Sequence, residues 1–193
     1  LFVSQCFFDD KLYELDPAGV EEPRLISDQL GPGCGLNGMD WGPDGRLYGP
    51  RWYVGEVVSF DVDEKTMRTE ATGIKIPAAV KFDSKGRLHV LDTGLGQIIR
   101  IEGDKRTVVA EIQPGLDNFA FDEQDQIFVS SFVDGFIKRV EADGSLTTLL
   151  QGGMTGPAGL TFHGDDIIVA DGMAVRGFNR QTGAPVPEKS AIG

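Results

Sequence analysis

The sequence predicts an all-β chain, a β-propeller of four-stranded antiparallel blades with about 40 residues to the blade. Three observations carry the prediction. An anchor aromatic returns as Trp41, Phe82, Phe121 and Phe162, at intervals of 41, 39 and 41 residues. Each is followed by a tight turn and then by an aliphatic, Leu47, Leu88, Ile127 or Ile167, the outline of a β-hairpin. Finally, nowhere do 12 residues show a 3.6-residue period free of Gly or Pro, so almost no helix is expected.

The first unit, residues 1–30, starts one strand late. Leu1-Phe2-Val3-Ser4 matches Ile127-Phe128-Val129-Ser130, which belongs to a second strand; Leu12 to Leu15 and Pro23 to Ile26 supply the next two. The unit 31–74 is the first full one, with strands around Leu36–Trp41, Arg46–Gly49, Glu56–Phe60 and Arg68–Ala71 and a Pro43-Asp44-Gly45 turn. Units 75–112 and 113–153 repeat it. The unit 154–193 offers three strands and a Gln181-Thr182-Gly183 turn; Pro185 and Pro187 make a fourth strand poor, because each removes a ladder donor.

These units read as one domain over residues 1–193. The two partial ends do not sum to one blade. The expectation is therefore an incomplete ring, part of a six-bladed propeller, with five blades as the alternative. An open ring exposes strand edges, which predicts pairing with a second copy of the chain.

Composition narrows the partners. Thirty acidic against 18 basic residues leave a formal charge of −12 with no Lys/Arg run, which disfavours nucleic acid and anionic membranes and favours cations. No apolar run reaches the roughly 18 residues of a membrane helix. The chain shows no leader, although Leu1 opens directly in strand-like sequence, and no compartment is indicated. Cys6 and Cys34 are too few for a disulfide framework or a zinc site and read as two separate thiols, with a single bridge as the alternative.

In a propeller the first strand of each blade lines the central channel, so equivalent residues form a ring. Four positions before the anchor aromatics stand Asn37, Ala78, Asp117 and Ala158; one position later stand Gly38, Ala79, Asn118 and Gly159. Asn37, Asp117 and Asn118 are hard oxygen donors, suited to Ca²⁺, Mg²⁺ or Mn²⁺ better than to a thiolate-seeking metal. The same residues also suit turns, where Asn and Asp satisfy nearby backbone groups.

Asn37-Gly38-Met39-Asp40-Trp41, followed by a turn and Leu47-Tyr48, resembles the metal-binding strand of the gluconolactonase and regucalcin (senescence marker protein) family, whose fold is a six-bladed propeller. The resemblance implies that Asn37 holds a catalytic divalent cation. Asp117-Asn118 resembles the Asp-Asn pair that binds catalytic calcium in the related paraoxonases. One departure stands out: where the family carries an aspartate ligand after Ile76-Pro77, this chain has Ala78. Either Asp117 supplies the carboxylate from the next blade, or the site has decayed.

The other candidates are of lesser weight. Arg51 and Trp52, in an unusual cluster after a second strand, and Asp92, facing the channel mouth, are candidate substrate contacts; Asp92 and Asp171 also end second strands at equivalent places, which suggests a repeated structural turn. His89 takes the strand position of Tyr48 and Phe128 and reads as core, and His163 sits in a turn.

The expected function is a metal-dependent hydrolase of lactones or esters. The cation, Ca²⁺ ahead of Mg²⁺, Mn²⁺ or Zn²⁺, would polarise the carbonyl and activate water, with Asp117 as ligand or general base. The alternatives are a non-catalytic scaffold that binds a protein or sugar, and a lyase, which would need a histidine in the channel.

Overall fold

The computed structural model describes residues 1–5, 10–31 and 35–186. Within them eighteen strands form five antiparallel sheets in chain order, the blades of a β-propeller, and no helix. Sheet 1 holds β1 (Phe2–Ser4), β2 (Leu12–Glu14) and β3 (Arg24–Ser27). Sheet 2 holds β4 (Asp40–Trp41), β5 (Leu47–Arg51), β6 (Glu56–Asp61) and β7 (Thr66–Ala71). Sheet 3 holds β8 (Pro77–Phe82), β9 (Leu88–Asp92), β10 (Gln97–Glu102) and β11 (Lys105–Glu111). Sheet 4 holds β12 (Leu116–Phe121), β13 (Ile127–Ser131), β14 (Phe136–Val140) and β15 (Leu146–Gln151). Sheet 5 holds β16 (Pro157–His163), β17 (Asp166–Asp171) and β18 (Ala174–Asn179). The described residues thus display five blades, the number that the sequence analysis gave as its alternative, of which the first and the last have three strands, as the repeat pattern suggested. No helix among them is long and apolar enough to cross a membrane.

Strand alternation explains how the blades stack. In β9, Leu88 and Val90 turn toward sheet 2 while His89 and Leu91 turn toward sheet 4, as the two-residue period of a strand requires. Four apolar clusters result, one between each pair of consecutive sheets. Leu12 and Ile26 meet Leu47 and Phe60; Tyr48 and Val57 meet Val80 and Val90; Leu91 and Ile98 meet Phe119 and Val129; Phe128 and Ile137 meet Leu160 and Ile167. Each large side chain buried there contributes about 1.5–3 kcal/mol relative to exposure.

The anchor aromatics have a specific partner. Each lies edge-to-face on a second-strand residue of the preceding sheet: Trp41 on Phe2 at 5.5 Å, Phe82 on Tyr48 at 4.9 Å, Phe121 on His89 at 4.9 Å and Phe162 on Phe128 at 5.0 Å. Such pairs add about 0.5–1.5 kcal/mol beyond their buried area. Phe2 therefore occupies a second-strand position, in accord with a first unit that begins one strand late.

One expected strand is shorter than predicted. The stretch Leu36–Trp41 pairs within its own sheet only at Asp40–Trp41 and through an isolated Leu36–Arg51 bridge. Between these, Gly38 turns to sheet 3: its N–H donates to Ala78 O and its carbonyl accepts from Val80 N–H, both at 2.9 Å, in a parallel bridge to Ala79. Cys6, Cys34 and Pro187 lie outside the described residues.

Candidate functional site

The site is built where first strands begin. In sheets 3, 4 and 5 the pairing of first to second strand slips at this level, between Pro77 and Ala79, Leu116 and Phe119, and Pro157 and Leu160. These bulges fall on the ring residues Ala78, Asp117-Asn118 and Ala158-Gly159. A bulge re-aims side chains away from regular alternation, and here it does so at the channel mouth.

Three small or compact residues close the channel below the mouth. A Cβ placed on Gly38 would lie 2.6 Å from Ala79 Cβ and 2.8 Å from Asn118 Nδ2, so only glycine fits there. Asn118 is buried, its Oδ1 accepting from Phe119 N–H at 2.9 Å and its amide nitrogen reaching toward Gly38. Ser130 clamps the bulge: its hydroxyl accepts from Asn118 N–H at 3.1 Å and lies 2.7 Å from Ala158 O, joining sheet 4 to sheet 5. The mouth therefore has a floor.

Above that floor Asp117 stands apart. It is half-buried, and its carboxyl has no hydrogen bond or ion pair with another described residue. Burial alone pushes its pKa up to about 6. Asn37, also half-buried, occupies the same ring level two sheets away, and its side chain likewise forms no hydrogen bond among the described residues.

A hard divalent cation fits this chemistry in kind. A half-buried carboxyl without a counter-charge is a group that a cation relieves, and Asn37 offers a second oxygen. Asn118 does not complete the set, because its Oδ1 faces its own backbone. Among the described residues no three His, Cys, Asp or Glu side chains gather to hold a metal by themselves. Ca²⁺ takes six to eight oxygens, so backbone carbonyls and water would supply most of the shell.

The three expected substrate contacts have structural work. Arg51 Nε donates to Leu30 O at 2.8 Å and Nη1 to Glu56 Oε2 at 3.0 Å. The Asp92 carboxyl accepts from Lys75 N–H at 2.9 Å and Ile76 N–H at 3.1 Å. Ser131 Oγ donates to Gly115 O at 3.0 Å, and Asp171 Oδ1 accepts from Thr155 N–H at 2.7 Å and Gly156 N–H at 2.8 Å. All four residues end a second strand, and each satisfies the backbone of the segment leading into its own first strand. Asp92 and Asp171 thus form the repeated structural turn that the sequence suggested, and unlike residues do the same at the other two positions. Trp52 packs partly buried on the cluster between sheets 3 and 4.

Neither histidine reaches the mouth. His89 is 3 % exposed, with Nδ1 2.9 Å from Arg87 O, and burial lowers its pKa. His163 is exposed at the opposite end. That end also holds a cleft of about 370 Å³ lined by Asp44, Tyr48, Glu70, Phe82 and Arg87, whose polar groups are already engaged. Tyr48 Oη donates to Asp44, Ser59 Oγ to Glu70 and Arg87 Nε to Asp83. Burial, then the neighbouring Glu70 and Asp44 charges, raise the Tyr48 phenol to about 12.

No family model matches the chain, and no curated protein matches it in sequence. Solved structures do. A chain of a nidogen/laminin complex superposes with a TM-score of 0.77 at 14% identity, over 94% of this chain and 74% of that one. Virginiamycin B lyase from Staphylococcus aureus gives 0.68 at 16% identity, over 95% of this chain and 64% of that one. A gluconolactonase from Xanthomonas campestris gives 0.64 at 14% identity, over 78% of this chain and 60% of that one. The chain spans less than two thirds of the lyase and of the gluconolactonase. At these identities the likeness establishes the β-propeller fold, which a binding domain, a lyase and a lactonase share.

Proposed function

We propose that the chain hydrolyses lactones or related esters at the channel mouth, with Asp117 and Asn37 holding a divalent cation, Ca²⁺ in the first instance. The single observation behind this reading is Asp117: a half-buried carboxyl in a first-strand bulge, with no partner among the described residues, whose pKa burial raises. A partly desolvated carboxyl kept without a partner, at a stability cost, is a candidate for function. The likeness to a gluconolactonase supports the reaction class by analogy.

When bound, the cation would supply polarisation of the substrate carbonyl and a more acidic water. The protein's own residues supply the rest. Asp117 and Asn37, from two different blades, would hold the ion and with it the scissile group. Gly38, Ala79 and Asn118 close the floor, which stops a ligand from passing down the channel and keeps the reacting carbonyl at the ring. Ser130 holds the Asp117-Asn118 bulge in place through Asn118 N–H.

A second reading, a non-catalytic binding propeller, is favoured by Ala78 and Ala158 at two of the four ring positions and by the likeness to nidogen in its laminin complex. A lyase would need another base at the mouth, since His89 is in the core and His163 at the opposite end.

Calorimetric titration of chelator-treated protein with Ca²⁺, Mg²⁺, Mn²⁺ and Zn²⁺, alongside Asp117→Ala, separates these readings. One site that disappears in the variant, together with at least a roughly 100-fold loss of lactone hydrolysis, is the expected result. No binding of any of the four ions would turn the assignment to the scaffold.

A further inference from the structure

Of the three asparagines in the chain, Asn37 is the one that a glycine follows. An Asn-Gly pair is well disposed to deamidate, because glycine has no Cβ to hinder its amide nitrogen from approaching the preceding side chain. The other two asparagines are placed differently. Asn118 precedes Phe119, whose N–H donates to the Asn118 Oδ1, and Asn179 precedes Arg180. At position 38 the glycine is imposed by packing, since a Cβ there would lie 2.6 Å from Ala79 Cβ. The half-buried Asn37 side chain has no hydrogen bond among the described residues to hold it away from the Gly38 nitrogen.

Sheet 3 keeps the pair from reacting. Gly38 N–H donates to Ala78 O at 2.9 Å, so the nitrogen that would attack is engaged with another blade. Three further bonds tie down the same stretch: Val80 N–H to Gly38 O at 2.9 Å, Lys81 Nζ to Met39 O at 3.1 Å and Phe82 N–H to Asp40 Oδ2 at 2.9 Å. Ala78, Ala79 and Val80 are completely buried, so the bridge lies away from water that would compete for its groups.

We propose that Asn37 is a latent deamidation site, closed by the Gly38–Ala78 bridge and opened when residues 37–40 part from sheet 3. On opening, Gly38 N gives its proton to hydroxide and attacks Asn37 Cγ. A C–N bond forms, the side-chain nitrogen leaves as ammonia with a proton from water, and the product is a succinimide. Water then opens the ring at either carbonyl and leaves an aspartate or an isoaspartate at position 37, with one more negative charge. The isoaspartate adds a methylene to the main chain just before Gly38, where packing has no room for even one Cβ, so the bridge does not return to its register. Opening between sheets 2 and 3 thereby becomes a one-way release of the inner strand of sheet 2. This chemistry is independent of the hydrolase reading and needs no metal.

The test incubates the whole chain in mildly alkaline buffer and follows the mass of the peptide that holds Asn37. It is run without urea, in a urea series below the unfolding transition, and in urea that unfolds the chain; hydrogen exchange at the Gly38 amide is measured across the same series. The unfolded chain should deamidate at least about 100-fold faster than the native one, and below the transition the rate should rise in proportion to Gly38 exchange. Lys81→Met removes one bond of the bridge and keeps the apolar stem, and should speed both processes about two- to tenfold. A smaller difference between native and unfolded chains, deamidation unmoved while Gly38 exchange quickens, or both rates unchanged in Lys81→Met overturns the proposal. An unfolded chain that gives no product overturns it too. If Lys81→Met does not fold, the urea series decides alone.

Discussion

Asp117 and His89 show how one buried titratable group signals a site and another signals packing. Burial raises the Asp117 pKa from 3.8 to about 6, so the ionised form is disfavoured in the folded protein. The folded state then binds more protons than the unfolded one between those values, and stability falls as pH rises through them. Asp117→Asn in chelator-treated protein should therefore raise stability by about 1–3 kcal/mol near pH 8 and change it little near pH 3.5, measured by urea unfolding. The same substitution should remove the ion. A variant that is more stable and inactive is the mark of a functional carboxyl; destabilisation at both pH values would make Asp117 structural. For His89 the shift is downward, caused by burial. Its neutral form is the folded one, so the stability it contributes is present above about pH 6.5 and is lost as pH falls below it. His89→Phe places a ring against Phe121 as Phe128 does against Phe162, and should flatten the fall in Tm between about pH 7 and 5.

At the scale of the element, the first-strand bulges decide which side chains reach the channel. Ser130 is the clamp in sheet 4, and Ser130→Ala leaves the buried Asn118 N–H without an acceptor. The expected cost is about 1–3 kcal/mol, with weaker ion binding because Asp117 shares the bulge. Unchanged ion affinity in a destabilised Ser130→Ala protein would separate the clamp from the site. Gly38→Ala tests the floor from the opposite side. The added methyl meets Ala79 Cβ at 2.6 Å and Ala79 Cα at 3.0 Å, contacts that a flexible side-chain end cannot relieve. A loss of about 1–3 kcal/mol in thermal or urea unfolding is expected.

Across the molecule, stability resides in the four interblade clusters, each built from two neighbouring sheets. Phe119 is completely buried between sheets 3 and 4, and Phe119→Ala should cost about 3–5 kcal/mol. In a stack where each unit touches only its neighbours, the loss should be felt locally. Hydrogen exchange should quicken in sheets 3 and 4 well before sheet 1; a uniform change would show instead that the blades unfold as one cooperative unit.

Much of this was legible in the sequence because repetition reports local chemistry. The near-40 spacing of Trp41, Phe82, Phe121 and Phe162 located the blades, and alternation in segments such as Leu88–Asp92 located their inner faces. Counting back from those aromatics singled out Asn37, Asp117 and Asn118, and the bulge that carries Asp117 and Asn118 falls at that point of sheet 4. Three matters were decided only by tertiary structure. Asn118 has the same side-chain chemistry as Asn37, yet its oxygen faces its own backbone because Gly38 of another blade occupies the space beside it. Arg51 and Asp92 resembled ligand contacts, and their bonds to lead-in backbone appear only when the second strand lies beside that segment. Phe132 and Val133 likewise look like core residues in sequence, and only the placement of the turn after β13 leaves them exposed. A sequence period fixes what each strand does on its own two faces; which groups meet at a bulge, a floor or a rim is set by blades more than 40 residues apart packing around one axis.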